Sequence, residues 1–287
     1  MQKVLVLGSS GMLGSAVRRI LEQNLTIECI SVSRGKDSPD ISVESYHELV
    51  KIVDRTRPNF VINCVGVIKP YIDANNPKSI AEAVAVNSLL PYSLHEAISR
   101  LDCTLIQIAT DCVFNGSIGP YSEDSPHNPH DIYGKTKSLG EVEGKNVINL
   151  RCSIIGLERF SQVSLVNWLL SQPRNSELSG FTNHLWNGLT TDAFAAIIHG
   201  LISSNSTLFG TFHVVPKNFV SKFELLNILR ERFDRADLII SPVAAELHID
   251  RRLATNFELV NNELWELAPG INQIASIEEM VQAMQTS

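Results

Sequence analysis

The chain has 287 residues, 44% of them hydrophobic and 19% charged, with a formal net charge of −7. That balance suits a soluble globular enzyme with a substantial core, and it offers no basic surface for nucleic acid or an anionic membrane. Five cysteines (Cys29, Cys64, Cys103, Cys112, Cys152), none in a CxxC pair, fit a reducing, cytoplasmic compartment, and no apolar run reaches the about 18 residues that mark a membrane-spanning helix.

Val4 to Leu7 is a compact apolar run that predicts a buried strand, and Met12 to Asn24 follows with helical spacing (Leu13, Val17, Ile20, Leu21). Thr26 to Ser33 predicts a second strand, Tyr46 to Thr56 a helix, and Phe60 to Val65 a third strand. Ser79 to Leu101 predicts a long helix broken or kinked at Pro91. Thr104 to Ala109, Tyr133 to Val142 and Val147 to Ile155 then read as strand, helix and strand. Strands apolar on both faces, alternating with helices, predict an α/β protein with a Rossmann-type doubly wound parallel sheet. Beyond Gly156 the pattern loosens, with helices over Phe160 to Leu170, Ala193 to Ile202 and Ser221 to Phe233 and a strand over Gly210 to Val215. Residues 1–156 are expected to bind a cofactor, and 157–287 to form mainly a smaller α/β substrate-binding domain, parts of 190–220 rejoining the first. Trp168 and Trp265 read as core or domain-interface residues, Trp186 as core or as pocket lining beside Asn187, and Glu278 to Ala283 as a solvated terminal helix.

Directly after the first strand comes Gly8-Ser9-Ser10-Gly11-Met12-Leu13-Gly14, opening the first helix. A dinucleotide pyrophosphate needs glycines there, for a tight turn, close backbone approach and close helix-on-strand packing, and the helix N-terminus supplies free N–H groups. The spacing is GxxGxxG rather than GxGxxG, and glycines also serve ordinary turns. An acid at the end of the second strand would bind the ribose 2′-hydroxyl of NAD. Here that strand ends in Arg34, with Lys36 following, which favours the 2′-phosphate of NADP(H) while leaving NAD(H) compatible; Arg34 can also be read as a solvated loop residue.

Tyr133-Gly134-Lys135-Thr136-Lys137 puts Tyr133 and Lys137 four residues apart, on one helix face. A phenol of pKa about 10 is a poor acid or base at neutral pH; an ammonium at about 4 Å favours phenolate by about 1–4 kcal/mol. A surface helix with a snorkelling lysine is the plainer alternative. The strand over Leu105 to Ala109 delivers Thr110 to its C-terminal end, where open α/β sheets bind ligands, so its hydroxyl can steady a substrate carbonyl oxygen or simply cap a turn with Asp111.

Together these residues resemble the extended short-chain dehydrogenase/reductases and, within them, the dTDP-4-dehydrorhamnose reductase family, from residue 1 to about residue 265. Ala109-Thr110-Asp111-Cys112-Val113-Phe114-Asn115-Gly116 is similar to that family's STDYVFDG stretch; Asn63-Cys64-Val65-Gly66 resembles its NAA(A/G) strand end, Val86-Asn87 its VN helix, and Gly210-Thr211-Phe212-His213-Val214 its GxYH(L/V) strand. The resemblance implies that Tyr133 is the general acid, that Lys137 orients ribose and lowers the Tyr133 pKa, and that Thr110 binds the substrate oxygen. It implies NADP(H) held by Gly8, Ser10, Gly11, Met12, Leu13, Gly14, Arg34, Asp40, Ile41, Cys64, Val65, Gly66, Tyr133 and Lys137. A nucleotide-linked keto sugar would then be lined by Val67, Thr110, Cys112, Phe114, Trp186 and Asn187, in sugar-nucleotide or polysaccharide biosynthesis.

Three departures bear on the sugar. Cys112 replaces the family's tyrosine, Gly66-Val67-Ile68 stands where AAY is common, and Asn187-Gly188-Leu189-Thr190 replaces G-x-P-T. An epimerase or dehydratase on the same frame is one alternative, although a dehydratase carries an acid where Cys112 stands. A non-catalytic NADP-binding regulatory subunit is the other. His127 and His130 read as solvated loop residues without a third ligand, so no metal is expected. Arg251-Arg252 can reach a nucleotide diphosphate or form a surface pair, and a homodimer is compatible with each reading.

Overall fold

The computed structural model describes residues 1–33, 41–42, 46–158 and 163–285. In chain order its first part runs β1 (Gln2–Leu7), α1 (Met12–Leu21), β2 (Ile27–Ser33), β3 (Ile41–Ser42), α2 (Tyr46–Thr56), β4 (Phe60–Asn63), α3 (Pro77–Val84), α4 (Leu90–Ile98), β5 (Thr104–Thr110), α5 (Ile132–Leu139) and β6 (Val147–Cys152). It continues with β7 (Ile154–Ile155), α6 (Leu165–Leu170), β8 (Glu177–Phe181), β9 (His184–Trp186), β10 (Leu189–Thr190), α7 (Thr191–Ser203) and β11 (Gly210–His213). The last elements are β12 (Val220–Ser221), α8 (Lys222–Arg232), β13 (Ile239–Val243), β14 (Ile249–Asp250), α9 (Glu258–Glu266) and α10 (Ile277–Gln282).

Seven strands form one sheet in the order β11-β6-β5-β4-β1-β2-β3, and every pairing in it is parallel. The order reverses at β1, so chain direction switches between β1 and β4, where doubly wound sheets open a ligand crevice. Residues alternate between two apolar faces. Val4, Val6, Ile62 and Ile106 pack with α1 and α7 on one side, while Leu5, Leu7, Val61 and Leu105 pack with Ile52, Val53, Leu94 and Ile98 on the other. Each such side chain contributes about 1.5–3 kcal/mol on burial, so a strand buried on both faces needs the continuous apolar run that β1 has.

The expected helix over Ser79 to Leu101 is one rod in three parts. Between α3 and α4 lies a π-helical segment, Ala85–Leu89. Pro91 has no N–H to offer the preceding turn, and the ladder widens there. The widened turn carries Asn87 inward, where its amide bonds both backbone groups of Val67 at 2.8 and 2.9 Å and the Thr136 hydroxyl at 3.1 Å.

The second half holds short strands that the sequence reading did not anticipate. β8 pairs with β13 and β9 with both β12 and β14. They are too short and too mixed in polarity to show period-two alternation. Two expectations are corrected here. Trp168 is 37% exposed rather than in the core. The terminal helix α10 is not merely solvated, since Ile277, Met280 and Val281 are buried. Among the described residues no helix is long and apolar enough to cross a membrane.

Candidate active site

The glycine turn joins β1 to α1. Gly8 has φ +76°, a conformation that glycine adopts at no steric cost. A Cβ on Gly14 would lie 2.1 Å from the Gly8 carbonyl oxygen, so only glycine lets α1 press onto the turn. No side chain caps the start of α1 at Gly11, which leaves its first N–H groups for an anion. Ser10 and Gly11 are exposed and Met12 half-buried, whereas Leu13 is core. Leu13 can therefore serve a ligand through its backbone alone. Arg34 and Asp40 lie outside the described residues; Ile41 begins β3, its backbone paired with Val32.

Beyond the end of β4, Cys64 and Val65 are half-buried and Gly66 is exposed. The Cys64 N–H donates to the Leu7 carbonyl at 3.0 Å, which continues the sheet to the mouth of the crevice. Burial pushes the Cys64 thiol up to about 12.

One strand further on, β5 ends at Thr110. Its hydroxyl donates to Asp111 Oδ1 at 3.2 Å and accepts from the Cys112 N–H at 3.2 Å. Thr110 thus does cap a turn, and it still neighbours the Tyr133 phenol, whose proton it influences. Asp131 caps α5 by accepting from the Gly134 N–H at 2.8 Å, and Lys69 pairs with it at 3.0 Å. A Cβ on Gly134 would meet the Cys112 carbonyl oxygen at 2.2 Å. The glycine next to Tyr133 is therefore what lets α5 close onto the Thr110 turn.

Electrostatics here depart from the sequence reading. Burial raises the Tyr133 pKa, Cys112 adds to the rise, and Thr110 opposes it. Lys137 is not among the principal influences on Tyr133, contrary to expectation, because its Nζ donates to the Ile108 carbonyl at 2.7 Å. Burial also brings Lys137 down to about 8, against the pull of Glu141. The Cys112 thiol, pushed up to about 12 chiefly by burial, stays protonated at neutral pH.

Of the expected substrate-lining residues, Thr110 and Cys112 stand beside Tyr133, and Val67 is held by Asn87 at 7% exposure. Phe114 cannot touch a substrate. It is fully buried, stacked on Tyr121 with ring centroids 4.3 Å apart. Trp186 is buried, with its indole N–H donating to Ser153 Oγ at 2.8 Å. Asn187 grips both backbone groups of Leu253 at 2.7 and 2.9 Å, so it positions the 250–254 segment rather than reaching into the pocket. His127 is no solvated loop residue; it bonds Ser138 and Arg151.

Sequence reasoning missed Lys222 and left Arg251-Arg252 undecided. Arg252 is committed to Asp250, at 2.7 and 2.8 Å, and lies 4.0 Å from the Phe219 ring centroid. Arg251 faces the Thr110 turn instead, its charge acting on Asp111 and Cys112. The legible signal for Lys222 was the capping box Ser221-x-x-Glu224 that starts its helix. It marks the helix start without saying what the next side chain faces.

The model of a family described as "RmlD substrate binding domain" matches residues 1–264. The chain belongs to that family. Among curated relatives, methionine adenosyltransferase 2 subunit beta of Bos taurus is 22% identical over 282 residues, covering 94% of this chain and 83% of that protein. A dTDP-4-dehydrorhamnose reductase of Streptomyces griseus is 34% identical over 138 residues, covering 48% of this chain and 43% of that protein. Among solved structures, dTDP-4-dehydrorhamnose reductase of Bacillus anthracis in complex with NADP superposes with a TM-score of 0.77 at 21% identity, over 98% of each chain. The structural likeness establishes the fold, a Rossmann-type α/β sheet shared by both halves of the match.

Proposed function

We propose that the chain is an NADPH-dependent reductase of a keto group on a nucleotide-linked deoxy sugar, acting in sugar-nucleotide or polysaccharide biosynthesis. The observation that carries this reading is the meeting of Tyr133 with Thr110 and Cys112 at the C-terminal edge of the sheet. Only β4 separates that edge from the glycine turn. The relative from Streptomyces griseus bears the name of such a reductase, and the structure from Bacillus anthracis contains NADP.

The residues present fit a dinucleotide. The turn from Gly8 to Gly14 would hold its pyrophosphate through backbone N–H groups, with Ser10, Gly11, Met12 and Leu13 nearest. Cys64, Val65 and Gly66 would flank the nicotinamide ribose, while Arg34, Asp40 and Ile41 would meet the adenosine end. NAD(H) remains compatible. When bound, the reduced nicotinamide supplies the hydride that adds to the carbonyl carbon. The Thr110 hydroxyl donates to the carbonyl oxygen and stabilises the charge that grows there; such donors contribute about 10²–10³ in rate. Tyr133, kept protonated by burial, gives its phenolic proton to that oxygen, leaving the alcohol. Lys137, anchored on β5 by Ile108, would orient the nicotinamide ribose with its remaining donors.

The test is NADPH oxidation with a panel of nucleotide-linked 4-keto-6-deoxy sugars, followed at 340 nm. Turnover of one member is the expected result. Silence across the panel with NADPH still bound would favour a second reading, a non-catalytic NADP-binding subunit. Its supporting observation is the match to methionine adenosyltransferase 2 subunit beta, which covers 94% of this chain and 83% of that protein. An epimerase or dehydratase would interconvert sugars without consuming NADPH, and Cys112 gives a dehydratase no carboxylate at that position.

A further inference from the structure

Lys222 opens α8, directly after the capping residue Ser221. Its ammonium stands 5.3 Å from the centroid of the Trp186 ring, and it interacts electrostatically with Asp111 and Cys112, the two residues after Thr110. Arg251 approaches the same pair from just beyond β14, with its Nε donating to the Phe114 carbonyl at 3.0 Å. Among the described residues no hydrogen bond or ion pair engages the Lys222 ammonium, and none engages the two Nη groups of Arg251.

That differs from the treatment of other partly or wholly buried cations in the chain. Arg252 has Asp250, Arg235 has Asp237, and Arg151 has Glu141. At the Thr110 turn both cations act on Asp111, and Arg251 acts on Asp131 as well. Yet Asp111 hydrogen-bonds Thr110, and Asp131 bonds Gly134 and Lys69, rather than either of these two cations. Burial raises the Asp111 pKa, which weakens its negative charge further. Charge withdrawn from water without a partner is unfavourable and is retained where a ligand completes it. Cys112, beside Tyr133, places that ligand at the Thr110 turn.

We infer that Lys222 and Arg251 form an oxyanion subsite that receives an anionic group of the substrate, either a phosphate of its nucleotide linkage or a carboxylate on its sugar. The inference rests on the reading of this crevice as a substrate pocket. It adds a second anchor, so that Thr110 and Tyr133 hold the carbonyl oxygen while the two cations beside the same turn hold the anionic group. Cation–π contact with Trp186 keeps the Lys222 ammonium in place without consuming its hydrogen-bond donors.

The test is isothermal titration of the full chain, saturated with NADP so that its own phosphate-binding turn is filled, using pyrophosphate and D-glucuronate as separate probes. At least one probe is expected to bind with a millimolar Kd. Lys222→Met should weaken it tenfold or more, Arg251→Gln should act in the same direction, and Lys222→Arg should stay within about threefold. Loss confined to pyrophosphate assigns the phosphate, and loss confined to glucuronate assigns the carboxylate. If neither probe binds the wild-type chain, or if Lys222→Met binds as wild type does, the subsite is overturned. NADP affinity, read in the same samples, should be unchanged in every variant and reports correct folding. Because the probes need no turnover, subsite binding with a silent reductase panel would sink the reductase reading and leave the subsite standing.

Discussion

Two charged regions flank α5, and they are paired to very different degrees. Behind the helix, Arg151 is 2% exposed and donates to Glu141 at 3.0 Å, to His213 Nε2 at 2.6 Å and to His127 Nε2 at 2.9 Å. Each imidazole passes its other nitrogen on, His127 to Ser138 and His213 to the Ala254 carbonyl. Burial brings His213 down to about 4, with Arg151 acting the same way, so both rings remain neutral acceptors for the guanidinium. Phe114 packs over that guanidinium at 5.3 Å. In front of the helix, Tyr133, Lys137, Lys222 and Arg251 carry donors with few protein acceptors. The closed network fastens β6, β11 and the 120–130 loop to α5; the open one has no such set of protein acceptors among the described residues.

The strongest way to break this comparison is Tyr133→Phe. Loss of the phenolic proton should cut reductase turnover by about 10²–10⁴ while NADPH binding stays within about twofold; equal loss of both would mean that Tyr133 is structural. Next comes Arg151→Met, which strands Glu141 in the interior. It should lower unfolding stability by about 3–5 kcal/mol, read by denaturant titration, whereas Lys222→Met in the open region should leave the midpoint unchanged. Equal losses would erase the distinction between the two regions. Gly14→Ala drives a Cβ against the Gly8 carbonyl and should cost about 1–3 kcal/mol, with NADP affinity falling alongside.

The smallest effect concerns pH. Lys137 has its pKa lowered to about 8, so it is charged below that value and neutral above it. kcat/KM should be level on the acid side and fall about tenfold per unit above about pH 8. Glu141 raises the Lys137 pKa; Glu141→Gln should move the break to lower pH and so link the two regions. A break that stays put in that variant would show that they do not communicate.

Much of the first half of the chain was legible because its signals are local. An apolar run followed at once by Gly8, Gly11 and Gly14 specifies strand, tight turn and helix start within a few residues. The Tyr133/Lys137 spacing is likewise fixed by one helical turn. The second half was less legible. Its strands are two to five residues long, and their partners are distant in sequence. Phe114 was misjudged for the same reason: nothing near it in the chain announces that Tyr121, His127 and Arg151 will enclose it.

From the sequence alone came the doubly wound sheet, the glycine turn and the one-turn spacing of Tyr133 and Lys137, because apolar periodicity and residue spacing act over a few residues. Tertiary structure alone decided that Lys137 bonds a carbonyl of β5, that Asn187 clamps Leu253, and that Lys222 and Arg251 converge beside Thr110. Those outcomes depend on desolvation and on partners from separate elements, and no local pattern encodes either.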